Sequence, residues 1–259
     1  MKTNDLDIKL RQMEEAFDIV DHHLKRLSNL ESNLYSNNDR YNELQKAHNV
    51  RFITKYARNK EVVQKVRHFM SNKTNHFDQE LFNLLKFKVM FKGDKSKSYA
   101  GRASNEEWMI INMKNDQVDH FNDWNFLFKV TAHELGHIWN FQFGKLLEMD
   151  YDEFAYEVVV DYLRFQGEVI PLDKERNWKF LKPLVRDKIS NYSKKDVMES
   201  FAEIFAFSCF STIVLNKEVA KWSWIHYFLT TEMVRGARHA IDNLNIRIKQ
   251  HILKMCLTN

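Results

Sequence analysis

The chain of 259 residues contains only six glycines and two prolines, Pro171 and Pro183. Tight turns draw mainly on those residue types. Few such turns are available, so the chain is expected to be mostly helix. A stretch rich in apolar residues but broken by polar ones, Trp124 to Phe143, ends at Gly144. Such a run suits a helix with little exposed surface.

Within that run lies Thr131-Ala132-His133-Glu134-Leu135-Gly136-His137-Ile138-Trp139. Helical positions four apart share a face, so His133 and His137 can offer both imidazoles to one ion. Glu134 then lies beside the ion. Two neutral imidazoles, an open coordination position for water and a carboxylate that takes the water's proton make up a metallopeptidase site. Zinc suits imidazole and carboxylate ligands, and it lowers the pKa of a bound water towards neutrality. Three defined positions can also meet by chance on an ordinary helix. Two details argue otherwise. The neighbours Phe126, Leu127, Phe128, Val130, Leu135, Ile138, Trp139 and Phe141 are large and apolar, so a polar His-Glu-His face among them is costly without a partner. Gly136 sits mid-helix at a cost of about 1 kcal/mol, which points to close approach by another backbone or by a substrate.

Composition narrows the remaining classes. Apolar residues make up 44% and aromatic residues 14%, enough for a substantial core in one large domain or a catalytic domain with an appendage. No run reaches the roughly 18 apolar residues of a membrane span. Met1 to Leu10 lacks the apolar core of a secretory signal, so synthesis in the cytoplasm is the expectation. Cys209 and Cys256 are too few for a disulfide framework and read as reduced packing residues. The net charge of +4 is dispersed along the chain, whereas nucleic-acid binding concentrates basic residues on one face. No nucleic-acid partner is expected.

Leu6, Leu10, Met13, Phe17, Val20, Leu24, Leu27 and Leu34 form a heptad-like seam interrupted by Glu31. It reads as a long amphipathic helix, laid against the chain's own core or assembling with a homo- or hetero-oligomeric partner. Ser36 to Asp39 reads as a polar break. Residues 47–71, with Val50, Ile53, Ala57, Val63, Val66 and Met70, read as a second helical stretch ended by polar residues 71–75. A helical N-terminal region, 1–75, and a domain over 76–259 are therefore expected. A short helix around Asp78 to Leu85 opens the second. The segments Phe87–Phe91, Tyr99–Ala103 and Trp108–Met113 read as a small antiparallel sheet. After Gly144, residues 150–166 read as a helix closed by Gly167. A polar connection carries Pro171 and Pro183. Asp196 then N-caps an apolar helix from Val197 to about Phe210, and residues 217–257 read as one or two amphipathic helices.

The two histidines need a third ligand, and two segments compete: Glu157 with Asp161, and Glu199 with Glu203. Each offers one acid for the metal and another, one turn on, to accept a hydrogen bond from a ligating imidazole. Asp150, Glu153, Glu157, Asp161, Arg164 and Glu168 form a continuous polar ridge, as a solvated face does. Glu199 and Glu203 are surrounded by Met198, Phe201, Ala202, Ile204, Phe205 and Phe207, where an acid must be paired or on a metal. Glu157 follows His137 by 20 residues, a spacing used by thermolysin-like peptidases. Spacing alone leaves both open.

The His133-Glu134-x-Gly136-His137 helix, then Tyr192, then Glu199-Ser-Phe-Ala-Glu203 resembles the catalytic domain of anthrax lethal factor and related metallopeptidase-like domains encoded in bacteriophages. The match covers about residues 108–210. This resemblance implies an α+β, zincin-like catalytic domain that is mostly helical. It implies one Zn2+ held by His133, His137 and Glu199, with Glu134 as general base. Tyr192 would stabilise the oxyanion, and Glu203 would support a ligand. Residues 145–189 have no counterpart in that pattern, which keeps Glu157 in contention. The expected activity is hydrolysis of peptide bonds in a protein or peptide substrate. The alternative is a phage virion or assembly component that keeps a zinc-peptidase fold as a scaffold, with the Leu6–Leu34 seam carrying its interactions.

Overall fold

The computed structural model describes residues 50–53, 60–71, 77–92, 100–104, 107–112, 124–209 and 231–258. They belong to one compact unit, Asn49–Asn259. The Leu6–Leu34 seam, the polar breaks at 36–39 and 72–75, Ala57, Tyr99, Met113, Phe210 and residues 217–230 of the expected C-terminal helices lie outside the described residues. Among the described residues no helix is long and apolar enough to cross a membrane.

The described part is mostly helical, with one small four-stranded sheet in the order β1-β2-β4-β3. The strands are β1 (Val50–Ile53), β2 (Phe87–Lys92), β3 (Gly101–Ser104) and β4 (Trp108–Asn112). The sheet is mixed, which corrects the expected antiparallel one. β1 runs parallel to β2, with Val50 opposite Phe87, and β2 parallel to β4, with Val89 opposite Met109. Only β3 and β4 are antiparallel, with Gly101 opposite Ile111. The short connection from Ser104 to Trp108 forces a hairpin there. The connection from β2 to β3 carries the chain past the slot that β4 then fills. Met109 to Asn112 are all buried, as befits a strand between neighbours and under a helix.

β1 replaces helix at residues 50–53. Val50 and Phe52 are partly buried while Arg51 and Ile53 are exposed, the period-two pattern of a strand. The Val50-to-Ile53 spacing that suggests helix is equally compatible with that alternation. Helix α1 (Lys60–Ser71) follows, then α2 (Gln79–Leu84), where the Asp78 side chain caps by accepting from the Glu80 and Leu81 N–H groups.

The helices that frame the centre are α3 (Trp124–Leu146), α4 (Tyr151–Phe165), α5 (Trp178–Lys188), α6 (Val197–Ser208) and α7 (Thr231–Thr258). α3 runs through Gly144 to Leu146. α4 stops where Gly167, at φ +85°, lets the Glu168 N–H turn back to the Leu163 carbonyl, a Schellman closure. α5 occupies part of the expected polar connection and has Pro183 inside it. Asn177 caps it, and Leu181 and Val185, one turn apart, are buried. That apolar stripe outweighs the loss of one backbone donor at proline. Asp196 caps α6 by accepting from the Glu199 N–H at 2.8 Å.

α3 contacts both β3 and β4 and also α6, and α6 in turn contacts α4 and α7. Trp139 of α3 and Phe205 of α6 are fully buried with ring centroids 5.1 Å apart. Each such aromatic contributes about 1.5–3 kcal/mol by leaving water. The two helices approach closely at Gly136. A Cβ there would stand 3.0 Å from Phe205 Cβ and 3.1 Å from Ala202 Cα. The close approach expected at Gly136 is that of the α6 backbone.

Candidate metal centre

α3 supplies two imidazoles and α6 two carboxylates, each pair one helical turn apart. The tight α3–α6 contact at Gly136 brings them together. The His133 and His137 rings stand 4.9 Å apart at 82°. Glu199 Oε2 lies 3.0 Å from His133 Nε2 and 3.4 Å from His137 Nε2. One donor atom from each of His133, His137 and Glu199 falls within 4.8 Å of the others. Donors about 2.0–2.2 Å from a tetrahedral zinc stand about 3.3–3.6 Å from each other. The two measured separations straddle the lower end of that range. This buried cluster could hold a metal ion.

The outer atoms are held as well. His133 Nδ1 is 3.0 Å from Glu203 Oε1, which leaves Nε2 for the centre of the cluster. Glu199 Oε1 accepts from Lys195 Nζ and, at a long 3.4 Å, from the Tyr192 hydroxyl. Tyr192 is 51% exposed, so it reaches the site from the solvent side. A set of serines fixes its turn. Ser190 Oγ pairs with Ser193 Oγ at 2.6 Å, and Ser200 Oγ of α6 donates to the Ser193 carbonyl at 2.8 Å.

Glu134 differs from the other acids. It is buried, it accepts from the Ala103 backbone N–H of β3, and among the described residues no donor meets its Oε2. Burial pushes its carboxyl upward. Burial acts the same way on Glu199, but hydrogen bonds from His133, His137 and Lys195 outweigh it and hold that carboxyl well below the usual range. For Glu203 burial is outweighed by Lys129 and then by His133, bringing it to about 2. Burial disfavours a charged His133, yet its bonds to Glu199 and Glu203 prevail and lift the ring to about 10. Burial and the charge of Glu199 raise Tyr192, which keeps its hydroxyl protonated at neutral pH.

Of the residues singled out from the sequence, His133, Glu134, His137, Tyr192, Glu199 and Glu203 converge here. Glu157 does not. It pairs with Arg247 of α7, and its neighbour Asp161 accepts from Asn243 at 2.7 Å. The polar ridge of α4 is covered in part by α7. Sequence reasoning misses Lys129, Lys195 and Gly101. Lys129 and Lys195 each stand four residues before a site residue, His133 and Glu199, and that spacing is the available signal. Nothing local marks Gly101.

A helical protein with a buried His-His-Glu cluster beside a mixed sheet is thus the class that fold and site define. The chain matches no protein-family model, no curated protein and no solved structure.

Proposed function

We propose that the chain is a zinc-dependent endopeptidase. The observation that carries this reading is the buried Glu134 carboxylate, one residue from His133, with Oε2 unpartnered among the described residues. Leaving such an oxygen without a partner costs about 1–3 kcal/mol. That cost is intelligible for a base whose partner is a reacting water.

His133, His137 and Glu199 would hold the zinc. Bound there, zinc supplies a Lewis acid that polarises a carbonyl and brings the pKa of a water towards neutrality. Glu134 takes that water's proton through Oε2 and passes it to the nitrogen leaving from the cleaved bond. The Tyr192 hydroxyl, still protonated, donates to the carbonyl oxygen as charge builds on it. Glu203 accepts the Nδ1 hydrogen of His133 and keeps Nε2 turned to the ion. Among the described strands β3 lies at the edge of the sheet, beside Glu134, which suits an extended peptide added along it.

Glu134→Gln keeps the size of the side chain and removes the base. Cleavage of a peptide library should be lost while zinc content stays at the wild-type level. Full activity in that variant would overturn the proposal.

A further inference from the structure

Both oxygens of Glu203 are engaged, and by different side chains. Oε1 faces His133 Nδ1 at 3.0 Å, and Oε2 stands 3.1 Å from Lys129 Nζ. The latter contact is an ion pair, off the line of a good hydrogen bond. The Glu203 side chain is only 2% exposed and that of Lys129 20%. Lys129 and His133 lie one turn apart on α3, so they share a face, and Glu203 of α6 bridges them from the opposite helix.

This arrangement matters once His133 serves as a ligand, an inference that rests on the zinc reading above. A ring that gives Nε2 to a metal is neutral and carries its hydrogen on Nδ1. It keeps its hydrogen bond to Glu203 through Oε1, while Lys129 is the cation against Oε2. The ion would bring charge of its own, but Glu199 would meet part of it, whereas Lys129 acts on Glu203 directly. Without Lys129 the buried Oε2 would lose that cation, and the carboxylate would turn towards water and cease to accept from Nδ1. That movement releases the His133 ring.

We infer that Lys129 is a positioning residue for the metal site, supplying the counter-charge that keeps the Glu203 carboxylate against His133 when His133 is a ligand. It acts through Glu203. A conventional ion-pair role in holding α3 to α6 would serve folding alone. The inferred role predicts dependence of metal affinity on the charge at residue 129.

The test is Zn2+ affinity of the full chain by chelator competition, together with the visible absorption of the Co2+-loaded protein. Thermal unfolding of the metal-free chain reports folding separately. Lys129→Met should weaken Zn2+ binding about 10- to 100-fold, the range for losing a group that supports a ligating histidine, and should alter the Co2+ spectrum. Lys129→Arg keeps the charge and should stay within a few-fold of wild type. In a Glu203→Gln background, Lys129→Met should cause no further loss. Affinity of Lys129→Met within twofold of wild type overturns the inference. So does a loss that Lys129→Arg fails to avoid, or a further loss in the Glu203→Gln background. Failure of the wild-type chain to bind Zn2+ would instead remove the zinc reading itself.

Discussion

Gly101 of β3 lies directly against Glu134 of α3. A Cβ at residue 101 would come within 2.6 Å of both Glu134 Cγ and Oε1, and within 2.8 Å of Val130 Cγ1. β3 and α3 are therefore in contact through a residue without a side chain. The Ala103 N–H, two residues on, binds the same carboxylate.

Gly101→Ala should displace Glu134 and leave the two histidines in place. A shift near 1 Å at a catalytic group costs about 100-fold in turnover. The expected outcome is a fall of that order in kcat with zinc content unchanged, checked by steady-state kinetics and elemental analysis of one preparation. Unaltered kcat would mean that Glu134 tolerates the displacement and is not held by β3.

Tyr192→Phe removes the hydroxyl of a half-exposed residue, bonded to Glu199 only at a long 3.4 Å. The fold has little stake in it. Loss of one oxyanion donor costs about 10²–10³-fold in turnover, so kcat should drop by that factor with KM and melting temperature near wild type. Unchanged kcat would take Tyr192 out of the mechanism.

Much of this site is legible because it is local. His133 and His137 follow from helical spacing, and Asp196 announces the start of α6 by capping chemistry. The apolar setting of Glu199 and Glu203 separates them from the polar ridge that holds Glu157. What is hidden depends on long-range pairing. No local feature tells that β4 inserts between β2 and β3, or that Val50–Ile53 joins the far edge of the sheet. Residues 178–188 read as connection because Pro183 masks the Leu181–Val185 stripe. Gly101 has meaning only once β3 is seen against α3.

Cys209 provides a check away from the site. Its thiol is buried, contacts the Phe205 carbonyl at 3.3 Å, and is pushed up to about 12 by burial. An unfolded thiol ionises near 9. The fold favours the neutral form, so this contribution to stability is complete below about pH 9 and is lost as pH rises from 9 towards 12. At about pH 8, below both values, the native chain should show negligible iodoacetamide labelling of Cys209 by peptide mass spectrometry, with full labelling in denaturant. Ready labelling of the folded chain would show that the α6 end opens to solvent.

The most direct measurement is the zinc content of the chain after loading with one equivalent and removal of free metal. The wild type should retain about one zinc per chain, because two imidazoles and the Glu199 carboxylate converge. His137→Ala should retain almost none while its helical signal persists. A folded wild-type chain that retains no zinc, or a His137→Ala chain that holds it as well as wild type, would contradict the account.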